Sequence, residues 1–192
     1  MTLPSFPGLT SLPAADRLDL VAAPVAEALR ARPDLASRLA VVEIDPDLAD
    51  TEAMTRAFNL PLPASANCVV ISGSRAGEER IAACVVAADT RADVNNLAKR
   101  RLDVRKASFH PMDRAVAETG MEYGGITPVG LPAHWRLFVD AALLRQDAVI
   151  LGSGLRRSKL LLPGALLAEL AGAELVEGLG YRAGWPRRHT SG

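Results

Sequence analysis

The stretch Tyr123-Gly124-Gly125-Ile126-Thr127-Pro128-Val129-Gly130 is the part of this chain best suited to chemistry. Adjacent glycines at 124 and 125 carry no Cβ, so backbone there can approach a ligand closely. Successive N–H groups in such a bend can hold an anion or a carbonyl oxygen that gains negative charge. Pro128 stiffens the far side of the bend. The same composition also suits a tight turn that needs glycine for its dihedral angles alone, and residue types leave both open. A second glycine-bearing stretch, Gly152-Ser153-Gly154, follows the apolar run Ala148 to Leu151. It is too short for a dinucleotide fingerprint and lacks the Gly-Lys-Ser/Thr of a phosphate loop. Ser153 is not in the Gly-x-Ser-x-Gly setting of an esterase elbow.

Other reactive side chains are sparse. Asp140 ends the apolar run Leu137 to Val139, where a carboxylate either faces a cleft or caps the next helix. The histidines, His110, His134 and His189, have no Ser or Cys partner at a telling spacing, and triads are in any case recognised by geometry rather than chain order. Cys68 and Cys84 sit in apolar, strand-like runs with no second ligand at metal spacing, so they read as small buried thiols in a reducing compartment. No metal and no cofactor is expected. Basic residues gather at Lys99-Arg100-Arg101, Arg105-Lys106, Arg156-Arg157 with Lys159, and Arg187-Arg188. Each alone is a solvated face; together they could steer a phosphate-bearing end toward a cleft.

The elements that must position these groups follow from periodicity and punctuation. Leu18, Val21, Val25 and Leu29 recur at helical steps from Ala14, and Pro33 stops the run. Ala40 to Ile44 reads as a strand broken by Asp45-Pro46. Thr51 can cap a helix through Met54 and Phe58. Cys68 to Ile71 and Ile81 to Val86 read as a hairpin around the polar loop Ser72 to Arg80. Asp93 can cap a helix through Leu97 and Arg101, and a short strand covers Lys106 to Phe109. A helix opened by Pro111 ends at Gly120. Strands at 137–139, 148–151 and 158–162 precede a last helix from Pro163. Helices and strands are mixed rather than strictly alternating, which predicts an α/β (α+β) fold with a mixed sheet flanked by helices, not a doubly wound parallel sheet.

At 192 residues, about half of them apolar, the chain fits one domain with a real core. The expected organisation is an irregular arm over 1–13, a single domain over 14–175 and a tail over 176–192. The 22 basic and 22 acidic residues cancel, so contact with nucleic acid should be local, and a DNA-coating role is not expected. No run approaches the roughly 18 apolar residues of a membrane span, and the first residues do not form a secretory signal. A cytoplasmic protein is expected.

Several of these pieces occur in an order that resembles the YbaK/EbsC and prolyl-tRNA-synthetase-insertion family, from about residue 39 to residue 172. They are Asp45-Pro46, Ala66-Asn67-Cys68-Val69-Val70, Leu97-Ala98-Lys99, Arg105-Lys106-Ala107-Ser108-Phe109, Gly124 to Gly130, Val139-Asp140 and Leu151-Gly152-Ser153-Gly154. The resemblance implies a curved, partly barrel-like mixed sheet with helices around it. It implies hydrolysis of the ester joining a wrong amino acid to tRNA, with the acceptor end of an aminoacyl-tRNA, and in some cases a synthetase, as partner. It further implies that Gly124 and Gly125, with Ile126, Thr127 and Pro128, hold the aminoacyl carbonyl through backbone N–H groups. Asn67 would lie beside the aminoacyl group, with Asp140 and the 152–154 turn completing the pocket.

Members of that family usually carry a lysine at the start of the strand motif, where the matching pair here is Ala66-Asn67. The lysine position then falls on Ala66, and Lys106 or Lys159 could supply an ammonium from another strand. Two functions follow: a trans-editing deacylase, or a family member altered in catalysis that binds an aminoacyl-tRNA or small ligand. Gly125→Ala is expected to abolish activity while leaving the fold largely intact.

Overall fold

The computed structural model describes residues 3–182. Eleven strands are described: β1 Leu12–Pro13, β2 Ala40–Glu43, β3 Ala66–Arg75, β4 Glu78–Ala87, β5 Arg91–Ala92, β6 Ala107–Phe109, β7 Arg136–Asp140, β8 Val149–Gly152, β9 Ser158–Leu162, β10 Ala173–Val176 and β11 Gly180–Tyr181. The helices are α1 Ala23–Ala31, α2 Pro33–Ala36, α3 Thr51–Phe58, α4 Lys99–Leu102 and α5 Met112–Thr119. One sheet is antiparallel in the order β1-β2-β9-β8. A second is mixed, in the order β10-β7-β4-β3-β6, with β7 parallel to both β4 and β10, and β5 and β11 form a two-stranded antiparallel pair. A parallel bridge between Ser65 and Ile150 joins the head of β3 to β8. The expected mixed sheets with flanking helices are present, but they form no closed barrel: β1 and β10 stay at the outer edges.

Alternation along the strands divides the apolar residues between faces. Val41, Val85, Val139, Leu151, Leu160 and Leu162 point into the main core, which α1 and α2 cover with Val25, Leu29 and Leu35. On the opposite face of the antiparallel sheet, Ala40, Val42, Ile150 and Leu161 meet Met54 of α3, with Leu3, Phe6 and Leu9 of the N-terminal arm beside them. On the opposite face of the mixed sheet, Ile71, Cys84, Val86 and Phe138 meet Ala98 and Leu102.

Several local expectations change. The periodic run from Ala14 is two short 3-10 turns, Ala14–Asp16 and Leu18–Leu20, and the α-helix begins only at Ala23, with Pro24 in its first turn. The polar stretch Ser72 to Arg80 is not a long loop: β3 and β4 run through it to a two-residue turn. Ala76 and Gly77 both adopt positive φ there, +52° and +84°, the pattern of a type I′ hairpin. Asp50, not Thr51, caps α3, its carboxylate accepting from the amides of Glu52 and Ala53. The segment before α4, Val94–Ala98, is π-helical. The last expected helix is a 3-10 segment, Gly164–Glu169, after which β10 runs parallel to β7. Residues 183–192 of the expected tail, with His189 and Arg187-Arg188, lie outside the described residues.

Candidate functional site

The two glycine stretches come together, and each fills the other's space. The Gly154 amide donates to the Gly125 carbonyl at 2.8 Å, and the Glu122 amide donates to the Gly154 carbonyl at 2.8 Å. A Cβ at Gly152 would run into the carbonyl oxygens of Gly125 and Ile126. The Gly125 N–H is itself engaged, donating to Glu122 O at 2.9 Å. Thr127 N–H lies 3.5 Å from Met121 Sδ, and the buried Thr127 hydroxyl has no partner among the described residues. The amides of Gly124 and Ile126 make no backbone hydrogen bond among the described residues. A Cβ at Gly125 would stand 3.0 Å from the backbone of Gly154 and Leu155. Gly125→Ala therefore also stresses the fold, contrary to the sequence expectation.

Ser153 and Asp140 are tied into the scaffold. Ser153 Oγ bonds with Ser158 Oγ at 2.7 Å and with the Ser158 carbonyl at 3.0 Å, while Ser158 Oγ reaches the Leu20 carbonyl. The pair pins the segment before α1 to β9. Asp140 accepts from the Ala142 amide at 3.0 Å and from the Gly180 amide at 2.7 Å. Its carboxylate caps the turn after β7 and holds β11 in place, and burial pushes its pKa up. Neither the cleft nor the small void described below is walled by Gly124–Pro128, Asp140 or the 152–154 turn.

Asn67 is placed differently. Strand alternation sets Ala66, Cys68 and Val70 on one face of β3 and Asn67, Val69 and Ile71 on the other. Ala66 packs into the main core opposite Ala87. Asn67 lines a cleft of about 530 Å³ on the opposite face, together with Val69, Thr90, Arg91, Asn95 and Phe109. A long side chain at position 66 would enter the core; position 67 is the one that reaches the cleft. Thr51 Oγ1 donates to Asn67 Oδ1 at 2.8 Å, so Nδ2 is what Asn67 can offer a ligand.

Beyond the Thr51–Asn67 bond lies Lys159, only 6% exposed, on β9. Its ammonium donates to the Ala49 carbonyl at 2.6 Å. Burial lowers its pKa to about 8, with Arg156 adding to the lowering and Asp50 opposing it. Thr51, Ser65, Ala66 and Lys159 enclose a void of about 10 Å³, room for one water at most. Ser65 Oγ there is buried without a partner among the described residues. Arg156 donates to the Pro46 carbonyl at 3.1 Å and its other terminal nitrogen lies 3.4 Å from Tyr123 O. The segment from Pro46 to Thr51 is thus fastened at three points: Arg156 beside the glycine bend, Lys159, and Asn67.

Two cationic residues and one hydroxyl therefore support the site without having been read from sequence as parts of it in this way. Thr51 was legible only as a helix cap. Moving the cap to Asp50 frees the Thr51 hydroxyl to hold Asn67. Burial pushes both thiols up, Cys84 to about 12, so neither is a nucleophile near neutral pH. Among the described residues no three His, Cys, Asp or Glu side chains are grouped to hold a metal. No helix among the described residues is long and apolar enough to cross a membrane.

Mixed sheets flanked by helices, with a cleft beside the head of β3, make this an α/β domain, and the sequence comparisons give its family. Residues 45–170 match the aminoacyl-tRNA editing domain, and the chain belongs to that family. Among solved structures, the chain is similar to one described as a candidate trans-editing enzyme for prolyl tRNA synthetase, with 21% identity, a TM-score of 0.68, and coverage of 88% of this chain and 98% of the other. The hypothetical protein APE2540 gives 22% identity and a TM-score of 0.69, covering 80% of this chain and 97% of the other. At these identities the likeness establishes the fold. No curated protein matches the chain.

Proposed function

We propose that this protein is a cytoplasmic trans-editing deacylase that hydrolyses the ester of mischarged tRNA. The observation that carries the reading is the Thr51–Asn67 bond at the mouth of the cleft. It fixes an amide whose remaining N–H groups can donate to the aminoacyl carbonyl. The Gly124–Pro128 bend, with Gly125 against the turn Gly152-Ser153-Gly154, lies outside this cleft and supports it as scaffold, its free Gly124 and Ile126 amides being candidate donors only for a ligand that reaches beyond the cleft lining. Asp140 positions the cleft wall by holding Gly180, next to Tyr181.

No protein nucleophile is required. Water adds to the polarised carbonyl carbon, the ribose oxygen of the tRNA leaves with a proton, and the free amino acid departs as its acid. A donor aimed at the developing oxyanion supplies the rate. A synthetase that generates the mischarged tRNA is the partner implied.

The test is a panel of mischarged tRNAs. The wild-type protein is expected to release at least one amino acid above the buffer rate, and Asn67→Ala to lower that rate about 100-fold, the effect of losing one such donor. No release from any tRNA overturns the reading. A second reading, a binding module altered in catalysis, draws on Ala66, where the resemblance places the family lysine, and on the neutral amide of Asn67 that faces the cleft instead. Because position 67 faces the cleft, Asn67→Lys, rather than Ala66→Lys, separates the two: turnover only in the variant makes the natural protein a binder.

A further inference from the structure

Lys159 has more hydrogen-bonding capacity than its bond to Ala49 uses. It sits within β9 between Val42 of β2 and Gly152 of β8, and alternation puts it on the same face as Leu161, under Met54 of α3. An ammonium carries three donors, and in a residue only 6% exposed each of them needs an acceptor. One donates to the Ala49 carbonyl at 2.6 Å, and no second acceptor among the described residues takes the others.

The remaining partners lie around the small void. Lys159, Thr51 and Ser65 all line it, and its volume of about 10 Å³ suits one water. Ser65 Oγ is buried without a partner among the described residues. Thr51 Oγ1 gives its proton to Asn67 Oδ1 at 2.8 Å and keeps lone pairs with which to accept. An ammonium with donors to spare, an unpaired hydroxyl and a free acceptor are together the set that holds a buried water, which makes about three hydrogen bonds.

We propose that Lys159 is a positioning residue for Asn67, acting through one buried water. The ammonium and the Ser65 hydroxyl donate to the water oxygen, the water donates to Thr51 Oγ1, and Thr51 donates to Asn67 Oδ1. These bonds run in one sense from the cation to the amide, and bonds aligned in this way polarise one another. Density drawn toward Oδ1 makes the Nδ2 hydrogens that face the cleft stronger donors. Lys159 itself touches no ligand. Of the charged groups around it, Asp50 just before α3 favours the ammonium and Arg156 in the turn before β9 opposes it. The proposal rests on the deacylase reading for its effect on rate, but not for the state of the amide.

The first measurement uses the free protein and needs no substrate. The side-chain amide signals of Asn67 in a nitrogen–proton correlation spectrum, assigned by their loss in Asn67→Ala, are followed against pH. In wild type they should move with a midpoint near 8, the value to which burial lowers Lys159. Lys159→Met should hold them still. Ser65→Ala and Thr51→Val should each cut the movement by roughly half or more, because each removes a link and leaves the ammonium in place. Signals that do not move near pH 8 in wild type overturn the proposal. So does a movement undiminished in Lys159→Met, or one undiminished in both Ser65→Ala and Thr51→Val, which is the bare field of a cation. The second measurement is kcat on a mischarged tRNA that wild type deacylates. Well below pH 8, Lys159→Met should lower kcat about fivefold with KM unchanged, the worth of one hydrogen bond. Well above pH 8 the ratio of wild type to variant should fall toward one, because the wild-type lysine is then neutral as well. A ratio that does not change with pH, or a loss confined to KM, overturns the positioning role and leaves the deacylase reading standing. No release from any tRNA overturns that reading, while the amide signals still decide the link from Lys159 to Asn67. Thermal transitions check that the variants are folded.

Discussion

The glycine bend at 124–128 and the head of β3 stand in contrast. The bend is the most conspicuous stretch of the sequence, yet its Gly125 carbonyl accepts from the Gly154 amide, the Gly154 carbonyl accepts from Glu122 just before the bend, and neighbouring carbonyls leave no room for a side chain at Gly152. The head of β3 reads as an ordinary apolar strand, yet it opens onto the cleft and keeps donors to offer. The difference teaches that glycine density reports where chain passes close to chain. A binding position reports itself through hydrogen-bonding capacity that the fold leaves over, which composition does not reveal.

The largest effect should come from the closed region. Gly154 has φ +85°, and a Cβ there would run into Ala22 Cβ. Left-handed alanine costs about 1–2 kcal/mol and forced overpacking about 1–3. Gly154→Ala should therefore lose about 3–4 kcal/mol in urea unfolding. A loss well under 1 kcal/mol would mean that the interlock does not hold this corner, and the contrast between the two regions would collapse.

The open region should carry its signature in pH. Lys159 titrates near 8 in the folded chain against the ordinary lysine value of 10.5. Between these values the unfolded chain binds the extra proton, so stability rises with pH across that window and is flat on either side of it. A shift of this size corresponds to at most about 3 kcal/mol. The urea midpoint of wild type should climb between about pH 8 and 10.5, and Lys159→Met should remove most of the climb. No titratable side chain takes part in the backbone bonds that lock the glycine bend to the 152–154 turn, so Gly154→Ala should shift the whole curve without changing its shape. If the Lys159→Met curve climbs as steeply as wild type, the ammonium is solvated and does not brace the Ala49 carbonyl from a buried position.

How far the sequence carried depends on the kind of signal. Strands with strong apolar content, such as Ala40–Glu43 and Ser158–Leu162, were legible because burial on both faces leaves no polar alternation to misread. The polar end of the β3–β4 hairpin was not, because Ser72–Arg75 and Glu78–Arg80 are strand held by pairing rather than by apolar burial, and the turn uses Ala76 in place of the usual Asn or Asp before Gly77. The run after Ala14 kept helical spacing but is bent into 3-10 turns, pinned by Ser153 and Ser158. At the site, the resemblance puts Asn67 beside the ligand and matches the family lysine to Ala66, whose side chain faces the core rather than the cleft. Facing direction is a register property, and it is fixed only when β3 pairs with β4. Lys159 and Thr51 reach Asn67's neighbourhood from strands and helices far away in sequence, so no local pattern could join them.

The smallest effect tests whether the cleft works through an arranged amide or merely through a polar one. Thr51 touches no substrate in the proposed geometry; it is a positioning residue that holds Asn67 Oδ1 and thereby commits Nδ2 to the cleft. Thr51→Val keeps the shape and deletes the hydroxyl, which is worth about 1 kcal/mol for a neutral hydrogen bond, or roughly fivefold in rate. The loss should fall on kcat with KM unchanged, since the amide that turns away still binds but donates poorly to the developing charge. Thr51→Ser should restore the rate, because the hydroxyl rather than the methyl group does the holding. Should Thr51→Val match wild type in both constants, Asn67 would need no partner to face its ligand, and the open region would owe its function to the cleft wall instead.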